Sequence, residues 1–234
     1  MAREPNLTPP DVVQADTAAM TTASRPIRVG IETTPRKVFA SALDWPGWSR
    51  SGKTREAALE ALATYRERYL AVAHDAGIRP PPDGPYEVVE EGPGDASTAF
   101  GIPGIVFDAD RTPTSRAEAA RIGKLVAASF ALLDRVVAGA PAELRKGPRG
   151  GGRDRDKVLE HVEGAHEGYT RSTGARVERG SSDADRRAAM LVVLGAPSDG
   201  GPPPGGKWPP RYAARRVAWH ALDHAWEIED RSDP

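Results

Sequence analysis

The chain has no cysteine, and that absence excludes disulfides, thiolate metal ligands and a cysteine nucleophile. It has no apolar run of the roughly 20 residues that a membrane-spanning helix needs. Residues 1–24 are mostly Ala, Thr, Pro, Asp and Arg, without the apolar stretch of a secretion signal. A cytoplasmic protein without membrane contact is the expectation. There is also no excess of charge of either sign, since 32 Lys plus Arg stand against 33 Asp plus Glu for a formal net charge of −1. Nothing global then draws the chain to nucleic acid or to anionic lipid, and nucleic acid is not an expected partner.

What is present changes character along the 234 residues, a length that suits one large domain or two small ones. The composition favours two, in an α+β arrangement: a tail over 1–24, a small sheet-and-helix domain over 25–110, and an all-α four-helix bundle over 111–234. The tail holds too little apolar surface to order itself, and the two halves are expected to be separable near 108–114. Ile27 to Glu32 and Lys37 to Leu43 read as a hairpin, the second strand alternating Val38, Ala40 and Ala42 against Phe39, Ser41 and Leu43. Thr54 is placed to cap a helix carrying Leu59, Leu62, Tyr69, Val72 and Ala73 as far as Gly77. Tyr86 to Glu90 and Gly104 to Phe107 read as two further strands. Ser115 and Glu118 have the spacing of a capping box for a helix that stops at Gly139-Ala140-Pro141. Helices around His161, from Ser182 to Leu194, and from Pro209-Pro210 through His220 complete the bundle, with glycine-rich connections at 147–152 and 197–206.

Gly47-Trp48-Ser49-Arg50-Ser51-Gly52-Lys53-Thr54 matches the phosphate-binding pattern G-x-x-x-x-G-K-[ST] and lies between a strand and a helix. Its surroundings argue against nucleotide. A phosphate-binding loop of this kind follows a strand buried on both faces of a parallel sheet, whereas this strand alternates, belongs to a hairpin and is separated from Gly47 by Asp44-Trp45-Pro46. Phe39 through Ala57, with the Pro46-Gly47 turn, Gly52, the capping Thr54 and the Glu56-Ala57 helix start, resembles the HicB-like antitoxin fold over about 27–75. The resemblance implies a small module for protein contact, often dimeric, and no catalysis. A homodimer and a protein partner held through this half are the associations it suggests.

Four of the five histidines lie in two helical segments. His220 and His224, four residues apart, stand one above the other about 6 Å apart on a face shared with Val217, Ala221 and Ile228. Such a face points into a core. Two inward imidazoles at this spacing can ligate one divalent metal when a third ligand arrives from another helix, and His161 can supply it. The plainer reading of the pair is a hydrogen-bonded couple in the core. His166, five residues beyond His161, lies about 140° round the helix and cannot face the same point squarely, which leaves it a place behind the ligands or at the rim. Asp223 and Glu227 are candidates to orient the imidazoles through their other ring nitrogens, or are simply solvated. Trp208, Trp219 and Trp226 read as core or interface.

Val158-Leu159-Glu160-His161-Val162 with Tyr169, and Arg215 to Ile228 with its W-H-x-x-x-H and following Glu227-Ile228, resemble the second and last helices of the DinB/YfiT-like four-helix proteins, over about 115–230. The resemblance implies a divalent metal, zinc or nickel, on His161, His220 and His224 with water completing the sphere. From the characterised enzymes of that superfamily it also implies a low-molecular-weight thiol, of the mycothiol or bacillithiol type, activated as thiolate for transfer or isomerisation. Arg211, Arg215 and Arg216, at the start of the last helix, are then candidates to bind a carboxylated cofactor. The competing expectation is a non-catalytic, protein-binding module of the antitoxin type, with a structural or vestigial histidine cluster.

Overall fold

The computed structural model describes residues 25–147 and 151–232. The expected tail, 1–24, and part of the 147–152 connection lie outside the described residues. The order of elements is α+β, with a four-stranded sheet first and helices after it. Strands β1 (Ile27–Thr33) and β2 (Val38–Ala42) form the expected antiparallel hairpin, closed by Thr34, whose hydroxyl donates to the Lys37 carbonyl and accepts from its amide. β3 (Ser49–Gly52) pairs antiparallel with β2, and β4 (Tyr86–Pro93) pairs parallel with β1, which gives the order β3-β2-β1-β4. The two-residue period sorts the faces. Val29, Ile31, Val38, Ala40 and Ala42 enter one cluster with Leu62 of helix α1 (Arg55–Thr64) and with Tyr69 and Val72 of α2 (Arg66–Asp75). On the other face Phe39 meets the edge of Trp219, and Gly30 lies so close to the Phe107 ring that an added Cβ would come within 2.7 Å of it.

Gly104 to Phe107 is not the strand that its apolar run suggested. The Gly104 and Ile105 amides donate to the buried carboxylate of Glu32 at 3.0 and 2.9 Å, and the Phe107 amide donates to Asp110. Those donors are therefore withdrawn from any ladder. A short helix, α3 (Ala96–Phe100), brings Thr98 to the same carboxylate. β3 was not legible either, because Ser49-Arg50-Ser51-Gly52 shows no apolar alternation.

That strand runs through the phosphate-loop-like segment and explains it. From Ser49 to Gly52 the backbone is extended and paired with β2, so it does not curl into an anion-binding nest. Gly47, at φ +93°, sits where a side chain would strike Leu222, and a Cβ on Gly52 would lie 2.5 Å from the Ala58 nitrogen. Thr54 accepts from the Ala57 amide at 3.2 Å and caps α1, while Lys53 is exposed. Trp48, fully buried, donates to the Leu62 carbonyl and stacks on Tyr69, whose hydroxyl donates to the Pro46 carbonyl.

Four longer helices follow: α4 (Arg116–Gly139), α5 (Arg155–Thr173), α6 (Asp183–Leu194) and α7 (Pro210–Ser232). Ser115 caps α4 as expected, but Glu118 turns its carboxylate to Arg121 and Arg211. Ile122, Phe130, Val158, Met190 and Val217 share the bundle core. Leu125, Ala128, Leu222 and Trp226 belong instead to the cluster that backs the sheet. Arg50 of β3 is sandwiched against Tyr65 and Trp226, at 3.6 and 4.4 Å from their ring centroids, and bonds Asp223 at 2.6 Å. The change of composition near residue 110 thus marks a change of architecture, and residues from both sides of it pack in one cluster. Among the described residues no helix is long and apolar enough to cross a membrane.

Candidate metal centre

α7 is rich in alanine on the side that meets the bundle, with Ala213, Ala214, Ala218, Ala221 and Ala225 all buried. Alanine favours helix and lets neighbouring backbones approach closely, so the longer side chains between these positions reach the interior. Two of them are His220 and His224, 5% and 9% exposed. α5 brings His161 against them from the solvent side. The ring centroids lie 5.1 Å apart for His161 and His220, 5.0 Å for His161 and His224, and 4.8 Å for His220 and His224. One ring nitrogen from each lies within 4.8 Å of the others.

Two nitrogens bound at 2.0–2.1 Å to one tetrahedral zinc are separated by about 3.3–3.4 Å. The Nε2 atoms of His161 and His220 stand 3.3 Å apart, so this pair already has that spacing. His224 is oriented by its other nitrogen: Nδ1 lies 2.8 Å from Glu227, which is itself held by Arg231 at 2.6 Å. The bond from His224, then the Arg231 charge, keeps Glu227 below the usual carboxylate range despite burial. The carboxylate therefore accepts and Nδ1 carries a hydrogen, which in the neutral ring leaves the Nε2 lone pair for a ligand. Of the two polar neighbours considered, Glu227 has this role, whereas Asp223 faces Arg50.

Protonation would compete with a metal for these lone pairs. Burial, reinforced by His224, Arg216, His161 and His166, holds His220 well below the ordinary imidazole value. Burial, then His224 and Arg153, also lowers His161. Neutral imidazole nitrogens are the donor set that zinc or nickel takes. Outside His161 an open cleft of about 560 Å³ is lined by Gly152, Arg153, Asp154, Lys157, Glu160 and His161. Of the three histidines, His161 alone lines this cleft.

The three candidate arginines have separate situations. Arg215 is 3% exposed and gives both Nε and Nη2 to Asp110 at 2.9 and 2.6 Å, so it ties α7 to the segment after β4. Arg211 pairs with Glu118. Arg216 stays beside the histidines: it precedes His220 by one helical turn and lies against the rings of Tyr169 and Trp219, 5.4 and 5.1 Å from their centroids. It is 9% exposed, forms no ion pair among the described residues, and its Nη1 is buried without a hydrogen-bond partner. The series Arg216, His220, His224 at four-residue spacing carried this signal in the sequence. Trp219 and Trp226 are buried as expected, and Trp208 packs on Tyr169 and Tyr212.

No family model matches this chain, and no curated protein or solved structure matches it. What the site can do follows from its own geometry.

Proposed function

We propose that the protein is a metal-dependent enzyme of the DinB-like type in which His161, His220 and His224 hold one zinc or nickel ion, and that its reaction uses a low-molecular-weight thiol. The observation that carries the reading is the convergence of three nitrogen ligands from two helices, two of them buried and one open to a cleft. Three protein ligands with an accessible fourth position distinguish a catalytic from a structural site. The ion would supply Lewis acidity that lowers the pKa of a thiol entering that position. With no cysteine in the chain, the sulfur comes from a cofactor.

The protein's own groups do the rest. Glu227 fixes the His224 tautomer. Arg216, a buried guanidinium without a carboxylate partner among the described residues, is set to receive an acidic group of the thiol or its acceptor. A buried charge left unpaired is costly, so a ligand that supplies the counter-charge gains affinity there. The Tyr169 and Trp219 rings hold the guanidinium in place.

The test is a thiol-transfer assay with metal-loaded protein, low-molecular-weight thiols and an electrophilic acceptor. Turnover should vanish with chelation and with His220→Ala, and Arg216→Gln should raise KM for an acidic thiol more than for a neutral one. A metal-replete protein inert with every thiol offered would contradict the thiol chemistry and leave a binding module.

A further inference from the structure

His166 is the most deeply buried of the histidines, with 0% exposure, yet it is not among the three convergent ligands. Its Nδ1 lies 2.7 Å from Asp183 at the start of α6. Asp183 also meets Arg187 at 2.6 Å, and Arg187 reaches Asp134 at 2.7 Å. Burial opposes the charge on Asp183, but the bond from His166 and the Arg187 cation together hold it below its ordinary value. Asp183 is thus a carboxylate and accepts, so Nδ1 of His166 carries a hydrogen, and in the neutral ring the lone pair is on Nε2. That Nε2 is buried and has no hydrogen-bond partner.

His220 presents the complementary deficit. Its Nε2 faces His161 at 3.3 Å, so once Nε2 ligates a metal the hydrogen must sit on Nδ1. The Nδ1 is also buried and without a partner. One interior N–H donor and one interior acceptor therefore lack partners, and both rings pack on Tyr169, 6.3 Å from His166 and 5.6 Å from His220 between centroids. Buried polar atoms without partners are costly, and a water with two or more polar neighbours is the usual remedy inside a protein.

We infer that His166 is a positioning residue for the metal centre: through one buried water its Nε2 accepts from Nδ1–H of His220 and fixes that ligand's tautomer and ring plane. The chain of contacts would run Asp134, Arg187, Asp183, His166, water, His220. α6 then supports the site without supplying a ligand. His224 has a direct carboxylate partner in Glu227, and His220 has this longer route to Asp183. The inference rests on the metal reading of the three histidines.

The experiment is zinc affinity by competition with a chromophoric chelator, beside the visible spectrum of the cobalt-substituted protein, on the full untagged chain. Loss of an outer hydrogen bond to a ligating histidine typically weakens metal binding 10–100-fold. His166→Phe keeps the ring volume without the acceptor and should weaken zinc by that factor and shift the cobalt spectrum. His166→Gln, which offers a carbonyl oxygen, should recover part of the loss, and Asp183→Asn should weaken zinc to a smaller degree. A purely structural His166 would lower the melting temperature and leave both metal readouts alone. Folded His166→Phe with unchanged affinity and spectrum overturns the inference. If that variant does not fold, unchanged affinity in Asp183→Asn overturns it. A wild-type chain that binds no metal overturns it together with the metal reading, whereas normal metal binding in both variants removes this inference alone.

Discussion

At the scale of single residues, His220 and His161 fold into a setting hostile to their own protonation. Burial, then His224, Arg216, His161 and His166, disfavours the cation on His220; burial, then His224 and Arg153, disfavours it on His161, with Glu227 opposing. Both have lower proton affinity folded than unfolded. Below about pH 6.5, the ordinary imidazole value, the unfolded chain therefore binds more protons than the folded one, and stability falls as pH falls. Above that value both states are neutral and this contribution is flat. Metal-free protein should show a melting temperature that drops between pH 7 and pH 5.5, with a shallower drop in His220→Ala. A melting temperature constant across that interval in the wild type would mean that these imidazoles are not disfavoured as cations.

At the scale of elements, β3 and α7 decide what the sequence could and could not show. His220 and His224 were legible because an i, i+4 pair on an apolar helix face has one geometry, and His161 because it lies on a second helix of the same kind. β1, β2 and the four long helices follow from periodicity and caps. β3 does not, since its burial comes from Tyr65 and Trp226 closing over Arg50, a contact spanning 176 positions that no local pattern encodes. Asp183, the partner of His166, was hidden for the same reason. The hairpin context of the Gly47–Thr54 segment argued rightly against a parallel-sheet phosphate loop, whereas the alternation of Val38 to Ala42 did not mark a half-buried strand, since all five residues are buried. Thr54→Ala should cost roughly 1 kcal/mol through loss of the α1 cap. Lys53→Ala, at an exposed position, should stay within about 0.5 kcal/mol of wild type. Denaturant titration of both variants checks this, and ATP binding that depends on Lys53 would contradict the structural role of the motif.

At the scale of the whole molecule, α7 belongs to two cores. Its alanine side and Ile228 pack in the bundle, while Leu222 and Trp226 complete the cluster behind the sheet. Burying such side chains contributes about 1.5–3 kcal/mol each, a substantial fraction of the 5–15 kcal/mol that holds a typical domain. Residues 112–234 expressed alone should therefore melt well below the full chain and bind a hydrophobic dye through the exposed Leu125, Leu222 and Trp226. A fragment as stable as the parent would show that the shared cluster contributes little. The arrangement also places His220 and His224 on the helix that the two parts of the fold grip from both sides.

Whether His161, His220 and His224 form one metal site in an already folded protein is decided by zinc titration of untagged, chelator-treated protein followed by calorimetry and circular dichroism. Such a site should bind one equivalent, leave helicity nearly unchanged by the ion, and lose binding in His220→Ala with the fold retained. A folded wild-type chain that takes up no zinc or nickel, or one that binds them equally well without His220, would contradict it.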